Sequence, residues 1–151
     1  MSRIRIVVAD RAQAIFYDVA AVGRAPKEVA RLADSAARLH EREFSSDRPG
    51  RGHPAVGGSR HAFGPEPQAH KLEAARFARR IARRLDEARR REEFDDLILV
   101  AGSRFLGLVR RELPRLTDAR VVHEVPKDLV HGTLAELRRH LPRSGDALAR
   151  A

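Results

Sequence analysis

Two neighbouring stretches carry the residue types best suited to holding a phosphate-bearing ligand. The first is FSSDRPGRGHPAVGGSRHAFGPEPQ, residues 44–68, where Arg48, Arg51 and Arg60 surround the pair Gly57 and Gly58. The second follows directly, with Lys71, Arg76, Arg79, Arg80 and Arg83 spaced along a stretch of helical periodicity. A guanidinium is a planar fork that meets two phosphate oxygens at once, and paired glycines let a backbone approach a ligand closely. Loop and helix together predict a track along an RNA backbone that supplies affinity with little sequence choice. The same residues also read as an ordinary solvated helix face.

Other groups offer weaker constellations. His53, His61 and His70 can hold a metal if the loop folds back, but their spacing matches no local ligand motif, and no Cys supports them. Asp10, Asp95, Asp96 and Asp128 fall near predicted strand ends, where turn residues are equally expected. Ser59 and Ser103 lack the G-x-S-x-G setting of a hydrolase nucleophile. No nucleotide-binding glycine fingerprint occurs, so the expectation is a protein without a catalytic residue, metal or cofactor, a hydrolase or nuclease being the alternative.

These residues must be carried by secondary structure. Residues 3–9 and 14–17 are β-branched or apolar and flank a turn at Asp10-Arg11, which predicts a hairpin. Residues 28–43 fit either a helix, through Val29, Leu32, Ala33, Ala36 and Leu39, or two short strands. Five Gly and four Pro make residues 44–68 a long exposed loop. Over residues 69–91, Ala74, Phe77, Ala78, Ile81, Ala82, Leu85 and Ala88 share one side of a helix, with arginines opposite. Residues 97–101 predict a buried strand, Gly102-Ser103 a turn and N-cap, residues 104–113 a helix and residues 119–125 a strand. Thr133 followed by Glu136 is a capping box that starts a last helix to about residue 141.

The 151 residues suit one domain, here an α/β domain with a mixed β-sheet and helices packed on it. With 30 Lys and Arg against 21 Asp and Glu, the net charge is +9, and residues 71–91 alone hold nine cations against three carboxylates. Such an excess favours a polyanionic partner, RNA or the ribosome first and a protein partner second, although arginine-rich usage throughout the chain explains part of it. The N-terminal residues interrupt apolar positions with charge, and the apolar run at residues 97–101 is too short for a bilayer. The expected location is therefore cytoplasmic, without membrane insertion.

The segment DRPGR at residues 47–51, with VVADRAQAIFY before it and LILVAGSRFLGLVRREL and VPKDL after it, resembles the bacterial host attachment protein family over nearly the whole chain. That family in turn resembles the central domain of archaeal and eukaryotic peptide-chain release factors and of Pelota. The order Gly57-Gly58-Ser59, Arg76-Phe77-Ala78-Arg79 and Leu99-Val100-Ala101-Gly102 is similar to theirs. Ser59 stands where the release reaction requires Gln. The resemblance thus implies a release-factor-like fold, which favours two short strands in residues 28–43, and a ribosome rescue or dormancy role without peptide release; the family name implies attachment through a partner or an anionic surface.

Overall fold

The computed structural model describes residues 2–20, 24–34 and 65–143. Its element order is β1 (Ile4–Ala9), β2 (Gln13–Val19), β3 (Lys27–Ala33), α1 (Pro65–Arg90), β4 (Asp96–Ala101), α2 (Ser103–Glu112), α3 (Arg115–Asp118), β5 (Val121–Val125) and α4 (Leu134–His140). The five strands form one mixed sheet in the order β3-β2-β1-β4-β5. β1 pairs antiparallel with β2 and parallel with β4, and β4 pairs parallel with β5. The α/β class and the mixed sheet are as the sequence predicts.

The hairpin forms because Asp10 closes its turn: its carboxylate accepts the backbone N–H groups of Ala12 and Gln13, both at 2.8 Å. β1 and β4 are central and buried on both faces, which explains their continuous apolar runs. Alternation then divides the core. Val7, Ala9, Phe16, Leu97 and Leu99 face α1 and α2, whereas Ile4, Ile6, Val8, Ile98 and Val100 face Leu137 of α4 and Val130.

α1 is fastened by Phe77, Ile81 and Leu85, each fully buried. Three side chains of that size contribute roughly 5–9 kcal/mol by burial, so the helix is held by its apolar stripe and its arginines are left to solvent or to specific partners.

Three details correct the sequence reading. α1 starts at Pro65, so residues 65–68 belong to the helix and not to the loop of residues 44–68. Proline lacks only an N–H that the first helical turn leaves unbonded, which makes Pro65 and Pro67 compatible with a helix start. Gly102 is the N-cap of α2 with no side-chain cap bond, and Ser103 is already helical. The last strand begins at Val121, because residues 115–118 form the short helix α3 and Arg120 N–H bonds back to Thr117. Of the two strands preferred within residues 28–43, β3 is present, and residues 35–43 lie outside the described residues.

Candidate functional site

The exposed face of α1 is the part of the predicted site that can be placed. Arg48, Arg51, Gly57, Gly58 and Arg60 lie outside the described residues, as do His53 and His61. Of the helix residues, Lys71, Arg76, Arg79, Arg80 and Arg83 are all exposed, yet they do not form one uniform track.

Arg76 and Arg83 point outward two helical turns apart, about 10 Å along the axis. Among the described residues neither takes part in a hydrogen bond or an ion pair, so both guanidinium groups have their donors available. Arg79 reaches sideways to α2, where its Nη2 lies 3.2 Å from Glu112 Oε1. Arg80 donates through Nη1 to the carbonyl of Ala33 at the end of β3, 3.2 Å away, and its guanidinium lies 5.5 Å from the Phe77 ring centroid. Two of the four arginines are thus partly engaged in holding α1 to its neighbours. Lys71 departs from the expectation more fully: five residues before Arg76, it lies about 140° around the helix, off the arginine face. A charge count along the sequence does not register that angle.

Further along α1 several charges pair within the fold. Asp86 is buried and accepts the Thr117 hydroxyl at 2.7 Å, Arg89 Nη2 at 3.1 Å and Arg90 Nε at 3.0 Å. The Thr117 hydrogen bond, joined by those two cations, holds the Asp86 carboxyl below the usual carboxylate range. Arg89 is consequently taken up by the fold, whereas Arg90 keeps most of its side chain exposed beside the same carboxylate. Arg84 sits over the Phe16 ring, 5.7 Å from its centroid.

One ionic site was not anticipated. Arg5, in the middle of the buried strand β1, is itself buried; its Nε and Nη2 donate to Asp18 at 2.6 and 2.9 Å, and Nη1 donates to Glu93 at 3.2 Å. Phe94 lies beneath it, 5.6 Å from guanidinium carbon to ring centroid. Burial works against the charge, but the two carboxylates outweigh it and its pKa lies above the ordinary value. The only signal in the sequence is an arginine at an inward-facing position of an otherwise apolar strand.

The carboxylates do not converge. Asp10 follows the C-terminal end of β1, whereas Asp95 and Asp96 sit at the N-terminal end of the parallel strand β4, about 20 Å away along the sheet. Asp95 is taken by Arg3, whose backbone N–H donates to it at 2.8 Å. Asp10 lies 3.8 Å from His131, which is largely exposed. Asp128 accepts a long bond from the Val130 N–H, at 3.4 Å. Among the described residues no three His, Asp or Glu groups gather as metal ligands, and no helix is long and apolar enough to cross a membrane.

The model of the family described as "Protein required for attachment to host cells" matches residues 5–141. The chain belongs to this host attachment family. The match takes in every strand but the first residue of β1, the whole of α1 and all later helices, so the arginine face lies within the family domain. No curated protein matches the chain.

Proposed function

We propose that this protein serves attachment as a non-catalytic interaction module, and that its arginine face on α1 takes up an anionic partner or surface. The observation that carries the reading is the pair Arg76 and Arg83, exposed, two turns apart and without partners among the described residues. An arginine that stabilised the fold would be tied as Arg79, Arg80 and Arg89 are. The family description supports a role in attachment, and the absence of a convergent acid–base or metal-ligating set among the described residues favours binding over reaction.

A second reading, an RNA- or ribosome-associated module acting in rescue or dormancy from the cytoplasm, is favoured by one feature: the face is built of Arg and not Lys, and the fork suits phosphate. The order of the Gly-Gly loop, the Arg-Phe-Ala-Arg segment and the apolar strand ending in Ala-Gly supports it from sequence. In this reading Arg48, Arg51, Gly57, Gly58 and Arg60 extend the track.

Co-sedimentation with ribosomes and with free RNA across a salt series, beside binding to an acidic polymer such as polyglutamate, separates the two. Replacement of Arg76 and Arg83 by Gln is expected to weaken binding in either case. Undiminished binding by that variant would remove α1 from both readings.

A further inference from the structure

We infer that the anion-binding face crosses the helical layer onto α2, where the bare backbone at Gly107, between Arg104 and Arg111, seats the sugar–phosphate backbone of a nucleic-acid duplex. The inference rests on the reading of the α1 face above and extends it to a second helix and a stated partner.

Gly107 is exposed in the middle of the ten-residue helix α2, where glycine is a poor helix former. A Cβ placed there meets nothing within 4 Å among the described residues, so packing against those residues does not call for glycine. A local rule broken without a packing gain points to a functional reason, and the use of glycine on a surface is to let another backbone come close.

The flanking charges fit the same reading. Phe105, Leu106 and Val109 face the core, which turns Arg104, Gly107 and Arg111 outward on the opposite stripe. Among the described residues Arg104 and Arg111 have no ion-pair or hydrogen-bond partner, and they are spaced by seven residues just as Arg76 and Arg83 are. α1 and α2 touch through Phe77 and Phe105, whose ring centroids are 6.1 Å apart, and through Arg79 with Glu112. Packed helices lie about 8–10 Å apart, so the two arginine pairs belong to neighbouring helices of one layer, and Glu112, a carboxylate at their contact, is occupied by Arg79. Glu87, one turn beyond Arg83, ends the favourable stretch on α1.

The partner follows from what the layer lacks and what it offers. Single strands are held by stacking bases on exposed aromatic rings, and Phe77 and Phe105, the aromatic residues of α1 and α2, are buried in the core. A duplex presents phosphates with its bases enclosed and is gripped through backbone contacts and shape. Four arginines without partners among the described residues, around a bare backbone, suit that surface better than they suit flexible carboxylates.

The test uses the full chain, a poly(A)·poly(U) duplex and a DNA duplex of matched length, with polyglutamate as competitor, and follows thermal unfolding beside binding. Gly107→Ala is expected to raise the unfolding midpoint, because helix propensity improves, and to weaken duplex binding several-fold. Arg104→Gln with Arg111→Gln is expected to lower the slope of log affinity against log salt by about 2. A raised midpoint with unchanged duplex binding overturns the α2 site while leaving the α1 reading intact, provided Arg76→Gln with Arg83→Gln still weakens binding. If that α1 double variant also binds normally, the underlying reading falls. A lowered midpoint for Gly107→Ala means that part of this chain's own fold needs the position, and overturns the inference. Competition by polyglutamate as effective as that of a duplex overturns the assignment of the partner.

Discussion

The hydroxyl of Thr117 donates to the carboxylate of Asp86 across 2.7 Å of buried space and accepts in turn from Arg89 Nε at 3.0 Å. This relay ties α1 to the short helix α3, which leads into β5, so the rotational setting of α1, and with it the direction of Arg76 and Arg83, depends on a contact far along the chain. Thr117→Val keeps the volume, removes the donor and leaves Asp86 one bond short in a buried site. Loss of a buried hydrogen bond to a charged group costs about 1–3 kcal/mol. Chemical denaturation is expected to show a fall in stability of that size.

The same carboxylate sets a pH dependence. Asp86 is held below its ordinary pKa by the Thr117 bond and by Arg89 and Arg90, and Asp95 is held low first by the Arg3 backbone N–H. A carboxyl whose pKa is depressed in the fold contributes stability that is present above the unfolded value, near 3.9, and is lost as pH falls through the folded value. Unfolding free energy is therefore expected to drop below about pH 4. In Asp86→Asn the protein should be less stable at neutral pH and its acid decline shallower; an unchanged acid decline would show that Asp86 does not carry it.

Arg5 makes a different kind of prediction, because its partners are unequal to it in burial. Arg5 is nearly sealed, while Asp18 and Glu93 stay about 40% exposed and can be rehydrated once the arginine is gone. Arg5→Met keeps the buried stem over Phe94 and removes the charge, so the cost is expected to be near 1 kcal/mol or less, since replacing a buried ion pair by packed apolar volume is often neutral. Asp18→Ala with Glu93→Ala leaves the buried cation alone and is expected to cost about 3–5 kcal/mol. The contrast between the two, measured by thermal and chemical unfolding, identifies which partner bears the desolvation.

These contrasts also explain what the sequence can and cannot reveal. The hairpin is legible because Asp10 acts within three residues of itself, and α1 because Phe77, Ile81 and Leu85 repeat at the helical period. The N-cap of α4 is legible for the same local reason: Thr133 Oγ1 accepts from Glu136 N–H at 3.1 Å. The roles of Arg5, Arg79, Arg80 and Asp86 are not legible, because each depends on a contact to a residue 13 to 88 positions away. Identical arginines in one run thus divide into structural and available members by contacts that periodicity does not encode.

α4 covers the second face of the sheet through Leu137, beside Val130, over Ile4, Ile6, Val8, Ile98 and Val100. A seven-residue helix gains little from its own hydrogen bonds, so its start must be fixed by the Thr133 cap. Thr133→Ala is expected to cost about 1 kcal/mol, whereas Thr133→Asp should retain stability. Hydrogen exchange should locate the loss in residues 134–140, and a loss spread over the sheet instead would mean that the cap does not act locally.

The division within the α1 arginines supplies the last prediction. Arg76 and Arg83 are free to contact phosphate or another anion, and each direct contact adds close to one unit to the salt slope of binding. Arg76→Gln with Arg83→Gln is expected to lower that slope by about 2 and to leave unfolding nearly unchanged, since neither side chain has a partner among the described residues to lose. Arg79→Gln with Arg80→Gln removes the tie to Glu112 and the bond to the Ala33 carbonyl, and should lower stability slightly, by under about 1 kcal/mol, with a smaller change in slope. Equal slopes for the two double variants would mean that all four arginines meet the partner, and that the contacts of Arg79 and Arg80 give way when it binds.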